Sequence, residues 1–347
     1  MRTLPSADLA ALTTLGVGGP ALRVDAADSA EEVVDRVRAA DAADEPLLLI
    51  GGGSNLLVAD EGFAGAALLV DPRGVALRRD CGQVDVTAQA GEPWDALVER
   101  CVAEGLAGVE ALSGIPGRVG ATPIQNVGAY GQEVADTLVA VRVWDRTLGE
   151  VAELAGSDCG FGYRSSRFKA EPGRWAVLEA VFRLEPARES RPVRYAELAR
   201  ALGVGLGDRA PLPEVRDAVL RLRRGKGMLL DPADPDTRSA GSFFTNPIVD
   251  PQAADRLPAD APRFSSAEGV KISAAWLIEQ AGFGRGWGAE LTGGRAALST
   301  KHVLALTNRG GASAADLLSL ARAVRDGVVE RFGVRLEPEP VLVGCAL

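Results

Sequence analysis

The residues whose types and spacing could do chemistry begin at a glycine cluster. Three consecutive glycines, Gly51, Gly52 and Gly53, follow the apolar run Leu47–Ile50 and precede Ser54, Asn55, Leu56 and Leu57. Glycines placed there let backbone N–H groups turn toward one point and form an anion-binding nest, to which Ser54 and Asn55 add side-chain donors. A diphosphate is the ligand such a nest suits. The spacing is not the G-x-G-x-x-G dinucleotide fingerprint, and no clear helical pattern follows it. A tight connection between two strands would use the same residues.

Further along, Ser113, Gly114, Ile115, Pro116 and Gly117, then Gln125, Asn126, Val127, Gly128, Ala129, Tyr130 and Gly131, form a long segment without periodicity. Small residues and neutral hydrogen-bonding groups dominate it. Such a surface suits a flat, neutral ring with several acceptors, such as isoalloxazine, lying beside a diphosphate. A loop of this length inside a compact domain is usually functional; a self-packed Ω-loop is the other reading.

Three further clusters carry charge or nucleophiles. Phe161–Lys169 sets Arg164, Arg167 and Lys169 among aromatics, where an arginine can clamp a carboxylate through two parallel hydrogen bonds. A solvated basic hairpin has the same composition. Ser242 lies in the polar stretch Ser239–Pro247 around Phe243 and Phe244, with no G-x-S-x-G elbow and no histidine nearby. Acyl transfer is therefore disfavoured, and a turn into a buried aromatic pair is the simple reading. Glu337 and Glu339 stand two residues apart, on one side of an extended chain, and prolines 338 and 340 mark an edge or irregular strand.

The whole chain narrows the choices. Its 347 residues suffice for two or three domains, and 47% hydrophobic with 24% charged residues is ordinary for a globular protein. A net charge of −9 disfavours nucleic acid and anionic membranes as partners. An anionic small molecule needs local donors, and Arg221, Arg223, Arg224 and Lys226 supply a cluster. Four cysteines show no C-x-x-C spacing, and the single histidine, His302, argues against histidine zinc sites, so no metal is expected. Asp8 interrupts any signal-peptide pattern, and no uncharged run approaches the about twenty apolar residues of a membrane helix. A soluble, cytoplasmic protein is expected.

The elements that must position these residues are legible in part. Ser29–Ala40 reads as a helix opened by a Ser29/Glu32 capping box, with Val33, Val34 and Val37 on one face. Trp94–Glu104, Pro213–Arg224, Ile272–Gln280 and Ser313–Phe332 read as further helices, the last stopped by Gly333. Leu47–Ile50, Ala66–Val70, Val84–Ala88, Val139–Trp144 and Ala176–Leu184 read as strands. Strands and helices mix without regular βαβ alternation, so the fold class is α+β. Glu185–Pro192, rich in Arg, Glu and Pro, reads as the main domain boundary, giving domains 1–188 and 189–347 with a strand segment at 333–347 returning to the first.

Taken in order, Gly51–Leu57, Ile115–Gly131, Phe161–Lys169, Gly241–Pro247 and Leu336–Glu339 resemble the UDP-N-acetylenolpyruvoylglucosamine reductase (UDP-N-acetylmuramate dehydrogenase) family, over nearly the whole chain. The resemblance implies a vanillyl-alcohol-oxidase-like (PCMH-like) FAD domain of two α+β subdomains and a C-terminal α+β substrate domain. It implies that NADPH reduces noncovalent FAD, that flavin N5 delivers hydride to C3 of UDP-N-acetylglucosamine enolpyruvate, and that protonation at C2 gives UDP-N-acetylmuramate for peptidoglycan. The family's catalytic positions match Arg164, Ser242 and Glu339. Arg164 would stabilise the enolate-like carboxylate, and Ser242 would protonate C2. Glu339 would be protonated in the complex or orient Arg164. The cofactor positions carry over to residues 51–56, 113–117, Gly120, Ala121, Thr122, Gln125, Asn126, 128–131 and Arg223. The substrate positions carry over to Tyr130, Tyr195, Lys226, Asn246 and His302; a core role for His302 remains open. After Lys226, Gly227–Leu230 and a longer Asp231–Arg238 depart from the family pattern. A monomer is expected.

Overall fold

The structure, a computed structural model, describes residues 1–347. Two compact units emerge, the first made of Met1–Ala7, Ala21–Gly53 and Ala64–Gly225, the second of Asp8–Pro20, Ser54–Phe63 and Lys226–Leu347.

The first unit holds two larger sheets and the two-stranded ribbon Gly128–Ala129 with Gln132–Glu133. One runs in the order Arg2–Thr3, Ala21–Ala27, Phe63–Val70, Leu47–Ile50, its last two strands parallel. The other is antiparallel along Glu150–Ala155, Leu138–Asp145, Trp175–Pro186, Gln83–Gln89 and Val75–Asp80. Helix Ala30–Ala42 buries Val33, Val34 and Val37 against Leu68 and Val70 of the first sheet and Trp144 and Leu178 of the second. Its apolar face is the one the valine spacing predicts. The capping differs in one bond: the Ser29 side chain accepts from Glu32 N, but the Glu32 carboxylate takes the N–H of Asp28. Helix Trp94–Ala103 packs Trp94 against Phe182, ring centroids 5.5 Å apart, closing the second core.

The second unit is organised around helix Ala314–Phe332, which buries Leu317, Leu320, Val324 and Val328 with Phe243 and Phe244. Ser313 and Asp316 form a reciprocal capping box at its start, and Gly333 ends it at φ 67°. A small antiparallel sheet (Ile248–Val249, Gly269–Ile272, Arg263–Ser266) and a hairpin of Ala296–Leu298 with Leu306–Asn308 complete the core. Ile272 ends a strand rather than opening a helix; Ser273 caps the helix Ala274–Gln280 that follows.

The boundary expected at Glu185–Pro192 is displaced. Strand Trp175–Pro186 reaches its first two residues, Glu185 and Pro186 pairing Ala107 and Leu106. Helices Ala196–Leu202 and Leu212–Gly225 then pack Leu198, Val215 and Val219 on Ala111 and Tyr130, so the first unit ends at Gly225. The closing strand Val341–Val343 pairs in parallel with Leu56–Val58, inside the second unit. No helix is long and apolar enough to cross a membrane.

Candidate active site

Strand Leu47–Ile50 delivers the triple glycine, and what it meets explains the residue type. A Cβ on Gly52 would lie 2.6 Å from Gly117 Cα, and one on Gly120 would lie 2.6 Å from Ala90 Cβ. Main chain therefore approaches main chain, and a side chain at either position would push the loops apart. The resulting face is lined by peptide groups and small residues, Gly114 buried and Ile115–Gly117 half-buried among them. That face suits a flat heteroaromatic and a diphosphate.

The loop is held from both sides at one residue. Asp95 accepts the N–H of Gly114 at 2.6 Å, and Arg223 Nε donates to the Gly114 carbonyl at 3.1 Å. Arg216 locks Asp95 with two hydrogen bonds, at 2.6 and 3.1 Å. Burial pushes the Asp95 carboxyl up, but Arg216 and the Gly114 N–H outweigh it and hold it below the usual carboxylate range. Burial lowers the Arg223 guanidinium, against the pull of Tyr130 and Asp95. It also drives the Tyr130 phenol up to about 12, although nearby Arg223 favours the phenolate. Tyr130 therefore stays protonated as a donor at neutral pH.

The hydroxyls of Ser113 and Thr122 are buried and donate to the carbonyls of Glu110 and Val119, so both brace the loop. Buried Asn126, at φ 46°, donates to the Glu133 carboxylate and the Gly162 carbonyl and accepts the N–H of Ala135. Ala121, Gln125, Gly128, Ala129 and Gly131 stay half-buried or exposed beside it. Arg164 sits in the turn closed between Gly162 and Ser165, at φ 50°, and its Nη2 donates to the Gly128 carbonyl at 2.9 Å. The left-handed conformation is strained for a non-glycine residue. Phe161–Lys169 is thus more than a solvated hairpin: the Arg164 guanidinium is seated on the Gly128 carbonyl.

In the second unit, Asn55 donates its side-chain amide to the Glu339 carbonyl at 3.2 Å, and its own carbonyl accepts Val341 N at 2.9 Å. Glu339 N in turn donates to the Phe243 carbonyl at 2.8 Å, and Thr245 N to that of Glu337 at 3.1 Å. The backbone of Ser242–Thr245 thus runs antiparallel to Glu337–Glu339. Residues 339 and 341 supply the N–H donors, so prolines at 338 and 340 cost no bond. Phe243 and Phe244 are buried as the expected aromatic pair, while Ser242 and Glu339 are half-buried. Glu337 is exposed and pairs with Arg335.

The remaining candidates are dispersed. Tyr195 opens helix Ala196–Leu202 and meets the Tyr130 ring edge-on, centroids 5.6 Å apart. Lys226 follows the end of helix Leu212–Gly225. The Asn246 side-chain oxygen accepts Ala274 N at 2.9 Å and so helps to start a helix. His302 lies half-buried in the turn after Ala296–Leu298, its N–H on the Ser299 hydroxyl. Buried Asp236, from the longer Asp231–Arg238 segment, accepts the Thr300 N–H and hydroxyl and the Arg309 guanidinium, so that segment braces the turn of His302. Asp95, Glu110 and Asp236 escape sequence reasoning, because each acts on backbone far away in the chain and no local pattern announces it.

The chain is similar to known proteins along nearly its whole length. Residues 21–155 match the model of an FAD binding domain, and residues 232–343 that of the C-terminal domain of UDP-N-acetylenolpyruvoylglucosamine reductase. The chain is 54% identical to the protein of that name from Thermobifida fusca, over 100% of this chain and 98% of the relative. It is 55% identical to that of Streptomyces coelicolor, over 100% and 92%. A crystal structure of the reductase from Thermus caldophilus is similar along 99% of both chains, with a TM-score of 0.68 at 28% identity.

Proposed function

Because the chain belongs to the UDP-N-acetylenolpyruvoylglucosamine reductase family, an FAD-dependent enzyme family of peptidoglycan biosynthesis, we propose that it reduces UDP-N-acetylglucosamine enolpyruvate to UDP-N-acetylmuramate, with NADPH as reductant. FAD, when bound, supplies hydride transfer between the two substrates. Its holders would be the main chain of Gly51–Asn55 and of Ser113–Gly117, with Leu56, Gly120, Ala121, Thr122, Gln125, Asn126, Gly128–Gly131 and Arg223. The observation that carries the assignment is the peptide-lined face where Gly52 meets Gly117, a Cβ on Gly52 lying 2.6 Å from Gly117 Cα.

The roles of the side chains follow from the charge the reaction creates. Hydride addition at C3 of the enolpyruvyl ether moves negative charge onto C2 and the carboxylate. Arg164, fixed before substrate arrives by its bond to Gly128, stabilises that growing charge without reorganising. Ser242 gives its proton to C2; a serine hydroxyl is a weak acid, so it serves only a strongly basic partner in a fixed position. Glu339 is fixed through its backbone on both sides, by Asn55 and Phe243, and either carries a proton in the complex or orients Arg164. Tyr130, Tyr195, Lys226, Asn246 and His302 would bind the UDP-sugar.

FAD is proposed to be noncovalent: the only histidine is His302 in the second unit, and burial raises the thiols of Cys101 to about 12 and Cys159 to about 11, keeping them unreactive. The enzyme is proposed to work as a cytoplasmic monomer. Purified protein should be yellow, release its flavin on acid denaturation, and oxidise NADPH only when UDP-N-acetylglucosamine enolpyruvate is supplied. Colourless protein, or NADPH consumption indifferent to that substrate, would overturn the assignment.

A further inference from the structure

The first unit contains a buried carboxylate that none of these roles uses. Glu110 is 0% exposed. One of its oxygens accepts the Gln132 side-chain amide and the Arg191 N–H, both at 2.9 Å; the other accepts Gly108 N at 2.6 Å. Gln132 returns a bond, its side-chain oxygen accepting Ala111 N at 2.8 Å. Three chain segments, 108–111, 131–132 and 190–191, are therefore fastened at one acid.

Two of those segments carry the tyrosines. Tyr130 lies two residues before Gln132, and Tyr195 four residues after Arg191. The loops also touch directly: at Gly131, φ 85°, an added Cβ would lie 2.9 Å from Arg194 Cβ. Their rings meet edge-on at 5.6 Å. A carboxylate suits this junction because all three neighbours are N–H donors and it offers only acceptors. An amide would turn an NH2 toward at least one of them.

We propose that Glu110 is a positioning residue for substrate capture, holding the Tyr130 loop and the Tyr195 segment in the register at which the two rings meet. The proposal rests on the assignment of Tyr195 to the UDP-sugar. The loop proposed to hold FAD is braced elsewhere too, at Gly114 by Asp95 and Arg223, so loss of Glu110 acts mainly on substrate.

The test is a double-mutant cycle on the FAD-loaded enzyme. Glu110→Gln should raise the KM for the UDP-sugar about tenfold, leave flavin reduction by NADPH within about twofold, and lose that KM effect in a Tyr195→Ala background. Gln132→Met, at a half-buried site, cuts the same link without touching the buried acid and should act alike if Glu110→Gln fails to fold. A KM penalty that persists undiminished with Tyr195→Ala, equal damage to both half-reactions, or an unchanged KM in a folded variant each overturns the proposal. Tyr195→Ala alone separates the two layers: if it leaves substrate KM unchanged, the role of Tyr195 falls and the proposal falls with it. If it raises KM while Glu110→Gln and Gln132→Met do not, only the positioning role is lost.

Discussion

The N–H of Glu339 donates to the carbonyl of Phe243 across 2.8 Å, so the backbone of one proposed catalytic residue is bonded to the peptide next to the other, Ser242. Almost a hundred positions of chain separate them, and burial of Phe243 and Phe244 in the core of the second unit fixes the pairing. A ladder bond anchored by two buried rings leaves little freedom to either backbone, which is what a weak acid such as serine requires.

That arrangement separates the half-reactions by mutation. Ser242→Ala should keep flavin reduction by NADPH within a few-fold while lowering product formation by about 100-fold or more. Anaerobic stopped-flow absorbance of the flavin, with chromatography of the sugar product, reads both. Loss of both together would remove Ser242 from the proton step.

Arg164 combines a side-chain role with a strained backbone, and two substitutions distinguish them. Arg164→Gly and Arg164→Ala should both lower turnover by about 100-fold. Only glycine accepts φ 50° without cost, so Arg164→Gly should be more stable than Arg164→Ala by about 1 kcal/mol in chemical denaturation. Equal stabilities would mean the turn is not under strain.

Gly52→Ala places a methyl 2.6 Å from Gly117 Cα. Main chain on both sides cannot yield cheaply, so overpacking of about 1–3 kcal/mol is expected, falling on the loops proposed to hold FAD. The visible flavin absorbance per protein should drop at least several-fold, and added FAD should restore it only at high concentration. Full flavin content would show that the loops part without consequence.

Acid should attack the braces first. Asp95 and Asp236 are both held below their usual carboxylate range: burial pushes each up, but Arg216 with Gly114 N, and Thr300 with Arg309, pull harder. For a depressed acid the stabilisation is fully present above the unfolded value, about 3.9, and disappears as pH falls through the lower folded value. The melting temperature should therefore stay level from about pH 8 to 5 and fall below about pH 4. Asp236→Asn should lower the plateau and flatten that acid limb; a limb as steep as the parent's would exclude Asp236 from it.

Local chemistry made much of this protein legible in its sequence. Valines at helical spacing behind Ser29 fix a helix and its buried face, and Gly333 fixes where the last helix stops. The ordered glycine, arginine, serine and glutamate clusters suffice to point to the reductase family, since each motif is a short-range pattern. What the sequence could not settle is which distant groups meet. Asp95, Glu110 and Asp236 look like ordinary surface acids until tertiary folding sets them on the N–H groups of Gly114, Arg191 and Thr300. The two compact units likewise divide at Gly225 rather than within Glu185–Pro192, because helices Ala196–Leu202 and Leu212–Gly225 pack on Ala111 and Tyr130. Composition and spacing therefore determined the chemistry available to the chain. The three-dimensional pairing of backbone donors with remote carboxylates decided where that chemistry is held still.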